Sequence, residues 1–227
     1  RGAASGGRVI QRDERPSRAT CVVGVGSRVV KFREVFRYDS AYHLRNPVTW
    51  AYAAIPFGLA FLLAWADASA GQTIRANAPE KIAEMSIMLG LLGMGISAGL
   101  FGEAAVRDAQ ARMDALLYTT ALRKIEYLGG RYLAALTINA TILLAIPLSA
   151  IAGTFVPWVE PGTFLPFRAA AYAQPYVIFV VPNLILTSAV MFTTGVLTRH
   201  IIPVYIAAIV IFMAFAFASG GLETINN

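Results

Sequence analysis

Five stretches of this chain carry no Asp, Glu, Lys or Arg: Val48–Ala66, Met85–Gly102, Tyr132–Val159, Ala169–Thr198 and Ile201–Leu222. Together they make up about half of the sequence, and every charge falls outside them. A helix in a water-soluble domain keeps one wet face, so charges recur along it every few residues; a helix in hydrocarbon cannot carry them. Crossing a hydrocarbon layer of about 30 Å takes on the order of 20 apolar residues at about 1.5 Å each. The pattern predicts spans at about Val48–Ala66, Glu84–Phe101, Tyr132–Gly153, Gln174–Leu197 and Ile201–Phe217. Pro157, Pro161 and Pro166 break the end of the third run and the approach to the fourth. Outer-membrane strands are excluded, because those alternate apolar and polar positions and these runs do not. The expected fold is all-α, a polytopic helical membrane protein of about five spans.

Polar segments between the runs predict two further helices. In Phe32–Arg45, the apolar Phe32, Val35, Phe36, Tyr42 and Leu44 alternate with Arg33, Glu34, Arg37, Asp39 and Arg45, and Pro47 follows. An arm with apolar and basic faces suits the membrane surface. In Glu103–Thr120, Val106, Ala109, Met113, Leu116 and Leu117 recur at spacings of three and four. Arg107, Asp108, Arg112 and Asp114 project elsewhere on that amphipathic helix, which lies between the second and third spans. Phe155, Pro157, Trp158, Pro161, Phe164, Pro166 and Phe167 predict either a cap at the far side or an interfacial loop.

Composition sharpens this. The chain has 227 residues, 57% hydrophobic and 14% charged, against about 25% charged in an average soluble domain. The net charge of +6 comes from 19 basic and 13 acidic residues. Arg28, Lys31, Arg33, Arg37, Arg45, Arg107, Arg112, Arg123, Lys124, Arg131 and Arg199 fall on one side of the expected bilayer, and only Arg75, Lys81 and Arg168 on the other. By the positive-inside rule the N-terminus and the Arg107–Arg131 loop face the cytoplasm, in an inner membrane. The basic balance is then a topology signal, and no nucleic-acid partner is expected. Arg1–Arg18, rich in Arg, Gly and Ser, reads as disordered. Residues 1–30 are assigned to a basic tail and 31–227 to one transmembrane domain. Cys21 is the single cysteine and builds neither a disulfide framework nor a thiolate metal site.

Candidate chemistry is sparse. Gly95-Ile96-Ser97-Ala98-Gly99 matches the Gly-x-Ser-x-Gly of a serine nucleophile, which needs a strand-to-helix turn and a histidine base. The same residues spell small-xxx-small, with Gly93 to Ser97 and Gly95 to Gly99 each one helical turn apart. Helix packing is the stronger reading inside an apolar run. No catalytic, cofactor or metal residue is assigned.

The order of elements resembles the permease subunit of type-two ABC transporters, in particular the branch associated with or fused to a zinc aminopeptidase-like domain. The residues that carry the resemblance are Asn46-Pro47-Val48-Thr49-Trp50, Arg107-Asp108, Asp114 to Thr120, Tyr127-Leu128-Gly129-Gly130-Arg131-Tyr132-Leu133, Val181-Pro182-Asn183 and Thr198-Arg199. It covers the chain from about Phe32 onward. Two features depart from it: Ala121 stands where the family often has Pro, and five spans are expected against the usual six per permease half. Neither a Gly-x-x-x-x-Gly-Lys-Ser/Thr phosphate loop nor a His-Glu-x-x-His zinc motif occurs.

The resemblance implies that ATP is hydrolysed on a separate ABC ATPase subunit, with a second permease copy or homologue completing the transporter and export the usual direction. The ATPase would grip Arg107, Asp108, Met113, Asp114, Leu116 and Leu117. Two other classes stay open: a membrane anchor for an extracytoplasmic enzyme domain, and a secondary transporter. A coupled carrier usually holds ionisable groups at mid-membrane, and these spans have none there.

Overall fold

The computed structural model describes residues 25–69, 78–110, 124–155 and 166–226. All regular structure among them is helical. The elements are α1 (Val25–Arg45), α2 (Pro47–Ser69), α3 (Pro79–Gln110), α4 (Lys124–Leu143), α5 (Ala145–Gly153), α6 (Ala169–Pro175), a π-helical turn (Tyr176–Val180), α7 (Val181–Thr198) and α8 (Ile202–Asn226).

Among the described residues, four helical segments are long and apolar enough to cross a membrane: Pro47–Asp67, Pro79–Arg107, Lys124–Gly153 and Ala169–Thr198. The fifth expected span is not among them. It coincides with α8, of which Ile202–Ala218 forms a shorter apolar helix among the described residues. The second and third spans begin earlier than the charge-free runs do, because Lys81, Glu84, Lys124 and Arg131 are accommodated inside helices.

Prolines decide where the long helices are interrupted. A proline has no N–H to give the carbonyl four residues back and crowds it as well. Pro147 leaves Leu143 O without its helical donor, and the third span breaks into α4 and α5 at Leu144. Pro175 and Pro182 flank the π-helical turn of the fourth span in the same way. Between α7 and α8, Arg199 takes the left-handed conformation at φ 56° and returns its N–H to Gly195 O.

α3 is the central helix, packed on α4, α7, α8 and the π-helical turn. Ala98, Leu100, Phe101 and Ala104 of α3 are fully or almost fully buried with Ile146, Met191 and Val204. α2 is peripheral, held mainly by α5, where Ala64 lies against Gly153, and most of its side chains are exposed to the surroundings.

α1 belongs to the bundle more closely than a surface arm would. Its largest contact is with α4. Phe32 and Val35 meet Gly130, Asp39 meets the adjacent Arg131, and Tyr42 reaches Glu103 of α3. Phe32, Val35 and Asp39 meet α4 near its start, at Gly129 to Arg131, and Asp39 and Tyr42 meet α3 toward its end, at Arg107 and Glu103. Asn46 makes the corner into α2: its Oδ1 accepts from Val48 N at 3.1 Å, capping α2, with Pro47 in the first helical position. Trp50 Nε1 donates to Leu44 O at 3.0 Å across the same corner.

Candidate functional site

Where α1 crosses the bundle, one carboxylate serves two guanidinium groups. Asp39 Oδ1 accepts from Arg107 Nη2, and Asp39 Oδ2 accepts from Arg131 Nε at 3.0 Å. The Asp39 and Arg131 side chains are 3% and 4% exposed, while Arg107 keeps 21%. The Arg107 guanidinium also stands 4.2 Å from the centre of the Tyr42 ring, and Tyr42 OH donates to Glu103 Oε1 at 3.0 Å. Arg131 lies 5.2 Å from the Tyr127 ring. Two cations and two anions are thus interleaved with two aromatic faces, while Arg107 Nη1 is buried without a hydrogen-bond partner.

His43, one turn after Asp39, is 1% exposed and sits edge-on to Tyr42 with centroids 5.5 Å apart. Burial holds its imidazole below the usual 6.5, outweighing the carboxylates of Glu103 and Asp39. Tyr42 moves the other way. Its hydroxyl is raised above 10.0, chiefly because it donates to the Glu103 carboxylate, which favours the protonated form.

The junction is built by a stripe on α1. Phe32, Val35, Phe36, Asp39 and His43 recur at three- and four-residue intervals, and all are buried or half-buried. Tyr42 and Leu44, expected on the apolar face, are 37% and 50% exposed. Sequence reasoning placed Asp39 among the polar positions and missed its pairing. The available signal was an acid and a histidine in register with the apolar stripe.

The expected ATPase-gripping residues divide. Met113, Asp114, Leu116 and Leu117 lie outside the described residues, as do Arg112 and Arg123. Arg107 and Asp108 belong to α3, which runs on from the second span to Gln110 without a break, so the described part of the helix expected from Glu103 onward is continuous with that span. Val106, expected on the exposed apolar stripe, is 1% exposed inside the bundle. Arg107 is engaged within the chain. Together Arg107 and Arg131 bracket the segment 111–123, and Asp39 ties both brackets to the arm.

The small residues also divide. A Cβ on Gly93 would come 2.7 Å from Leu143 Cδ2, and one on Gly99 2.9 Å from the Tyr52 hydroxyl, so these glycines set the approach of α4 and α2 to α3. Gly95 has no neighbour within 4 Å. Ser97 Oγ donates to Gly93 O at 2.9 Å and accepts from Asn139 Nδ2 at 2.6 Å. The motif sits mid-way along one continuous helix, with no strand-to-helix turn to expose the hydroxyl. Beside it, a small cavity lined by Gly90, Met94, Ser97, Val180, Asn183 and Thr187 has room for about one water molecule. Tyr132 OH meets Ser188 Oγ at 3.0 Å, and Tyr176 OH donates to Ala140 O at 2.6 Å, extending the polar seam between α4 and the fourth span.

Among the described residues no group of three or more metal-ligating side chains occurs. No family model, curated protein or solved structure matches the chain.

Proposed function

We propose that this chain is the membrane-spanning permease subunit of an ATP-driven transporter of the ABC type, residing in the inner membrane with its N-terminus in the cytoplasm. A separate ATPase subunit docks on the segment after Gln110, and a second permease copy or homologue completes the pathway, working as an exporter.

The observation that carries this reading is the Asp39 junction. A force applied to the segment 111–123 enters the bundle through its two feet, Arg107 on α3 and Arg131 on α4. Both are fastened to one carboxylate on an arm that turns directly into α2. Three of the four long segments are therefore linked at the point where such a force arrives. Closure of the ATPase pair moves them as a unit between two arrangements, a two-state element biased by ATP. The chain supplies the pathway and the ATPase supplies the energy.

The test is purification of the full chain from its membrane in mild detergent, followed by identification of what accompanies it. An ATP-hydrolysing subunit should co-purify, and Leu117→Asp should release it while leaving the permease in the membrane. Recovery of no such subunit across several detergents, or unchanged recovery with Leu117→Asp, counts against the assignment.

A further inference from the structure

The arm has a second face that the bundle does not use. Arg33, Glu34, Arg37, Tyr38 and Arg45 are exposed, Tyr38 to 72%, on the side of α1 opposite the stripe that holds Asp39 and His43. Because α1 turns into α2 within one residue, the Arg45 end of this face adjoins the start of the first span. Leu44, Val48 and Trp50, all exposed, continue it toward the hydrocarbon. A groove opens on it, lined by Tyr38, Ala41, Tyr42, Arg45 and Asn46. Asn46 commits its oxygen to Val48 N–H, which leaves its NH2 as a donor at a groove that Arg45 and Tyr38 also line.

We infer that this groove binds the phosphate headgroup of an anionic phospholipid, with Arg45, Tyr38 and Asn46 as the donors and Leu44, Val48 and Trp50 against the acyl chains. Three observations select this occupant. Arg33, Arg37 and Arg45 outnumber Glu34 on the face, so it is complementary to negative charge. The donors are those suited to phosphate oxygens, a guanidinium foremost. The exposed Leu44, Val48 and Trp50 follow the donors into α2, which matches a ligand whose charged end and hydrocarbon end point in different directions. A soluble acidic protein would leave Leu44 and Val48 uncovered. The inference rests on reading α2 as a span, and it is independent of how transport is driven. Each exposed basic residue near an anionic surface strengthens binding about fivefold.

The probe is dioleoylphosphatidylglycerol added to the purified full chain in uncharged detergent, with dioleoylphosphatidylcholine and glycerol 3-phosphate as comparisons. Retained lipid is read by mass spectrometry under native conditions, and thermal unfolding is read in parallel. The phosphatidylglycerol should be retained and should raise the unfolding temperature, an effect that weakens with added salt. Arg45→Gln should weaken retention about fivefold, and Tyr38→Phe should weaken it by less. Arg168→Gln, an exposed arginine far along the chain at the start of the fourth span, should leave it unchanged. Equal retention of phosphatidylcholine, an equal effect of glycerol 3-phosphate, or Arg45→Gln and Tyr38→Phe both indistinguishable from the parent protein would overturn the inference. None of these outcomes bears on whether an ATPase co-purifies.

Discussion

Asp39 is the residue on which the arm depends, and its loss is felt through the charge it leaves behind. Asp39→Ala strands Arg131, 3% exposed, without its carboxylate, and breaking a buried pair from one side costs about 3–5 kcal/mol. Replacing both partners is different, because two apolar side chains carry no uncompensated charge. The double variant Asp39→Leu/Arg131→Met should therefore unfold in detergent much closer to the parent than Asp39→Ala does, with Arg107 free to turn its partly exposed guanidinium to water. A double variant as unstable as the single one would show that the pair contributes beyond charge balance. His43 gives the junction a pH dependence. Its folded pKa lies below the unfolded 6.5, so at intermediate pH the unfolded chain binds the extra proton. The stability tied to neutral His43 is complete above pH 6.5 and drains away as pH falls below that value, at no more than about 1.4 kcal/mol per pH unit. Unfolding temperature measured between about pH 7.5 and 5 should slope more gently in His43→Gln than in the parent.

At the level of helices, glycines sort by what stands opposite them. A Cβ on Gly195 would lie 2.6 Å from Ala105 Cβ and 3.2 Å from Val204 Cγ2, both short and unable to swing away. Gly195→Ala should push α7 off α3 and α8 at a cost of about 1–3 kcal/mol. On Gly93 the obstacle is Leu143 Cδ2, the far end of a flexible side chain, so Gly93→Ala should cost less. Gly95→Ala meets nothing and should stabilise α3 by up to about 1 kcal/mol through helix propensity alone. Unfolding temperatures ranked in any other order would contradict this packing. The sequence pattern located the helices because hydrocarbon excludes charge over whole stretches, a signal that needs no knowledge of neighbours. It could not separate Gly93 from Gly95, two residues apart in the same run, because only the position of α4 distinguishes them. For the same reason Arg107 read only as a residue for the ATPase to grip, and its pairing with Asp39, 68 residues away in sequence, was not legible. The start of α1 was equally hidden, since Val25–Val30 extends the helix into residues that composition assigned to a tail.

For the molecule as a whole, the decisive quantity is which end of the bundle meets the cytoplasm. The end that carries Asp39, Arg107, Arg131 and Arg199 also holds the feet of segment 111–123, whereas Arg168 and Phe167 begin the fourth span from the opposite end. If basic residues select the cytoplasmic side, the two ends must differ in access from outside an intact cell. With Cys21→Ser as background, Arg33→Cys and Phe167→Cys each place one thiol at an exposed position, one per end. A membrane-impermeant maleimide should label Phe167→Cys on intact cells and Arg33→Cys only after permeabilisation. The reverse pattern would put the Arg107–Arg131 segment beyond the reach of any cytoplasmic ATPase, and with it the coupling role assigned to the Asp39 junction. Labelling of both from outside would instead mean that the arm does not lie at the cytoplasmic surface, although Asp39 could still fasten it to α3 and α4. The lipid groove and the junction share Tyr42 on one helix, so a single orientation must serve both: if the junction faces the cytoplasm, so does the leaflet whose anionic headgroups meet Arg45.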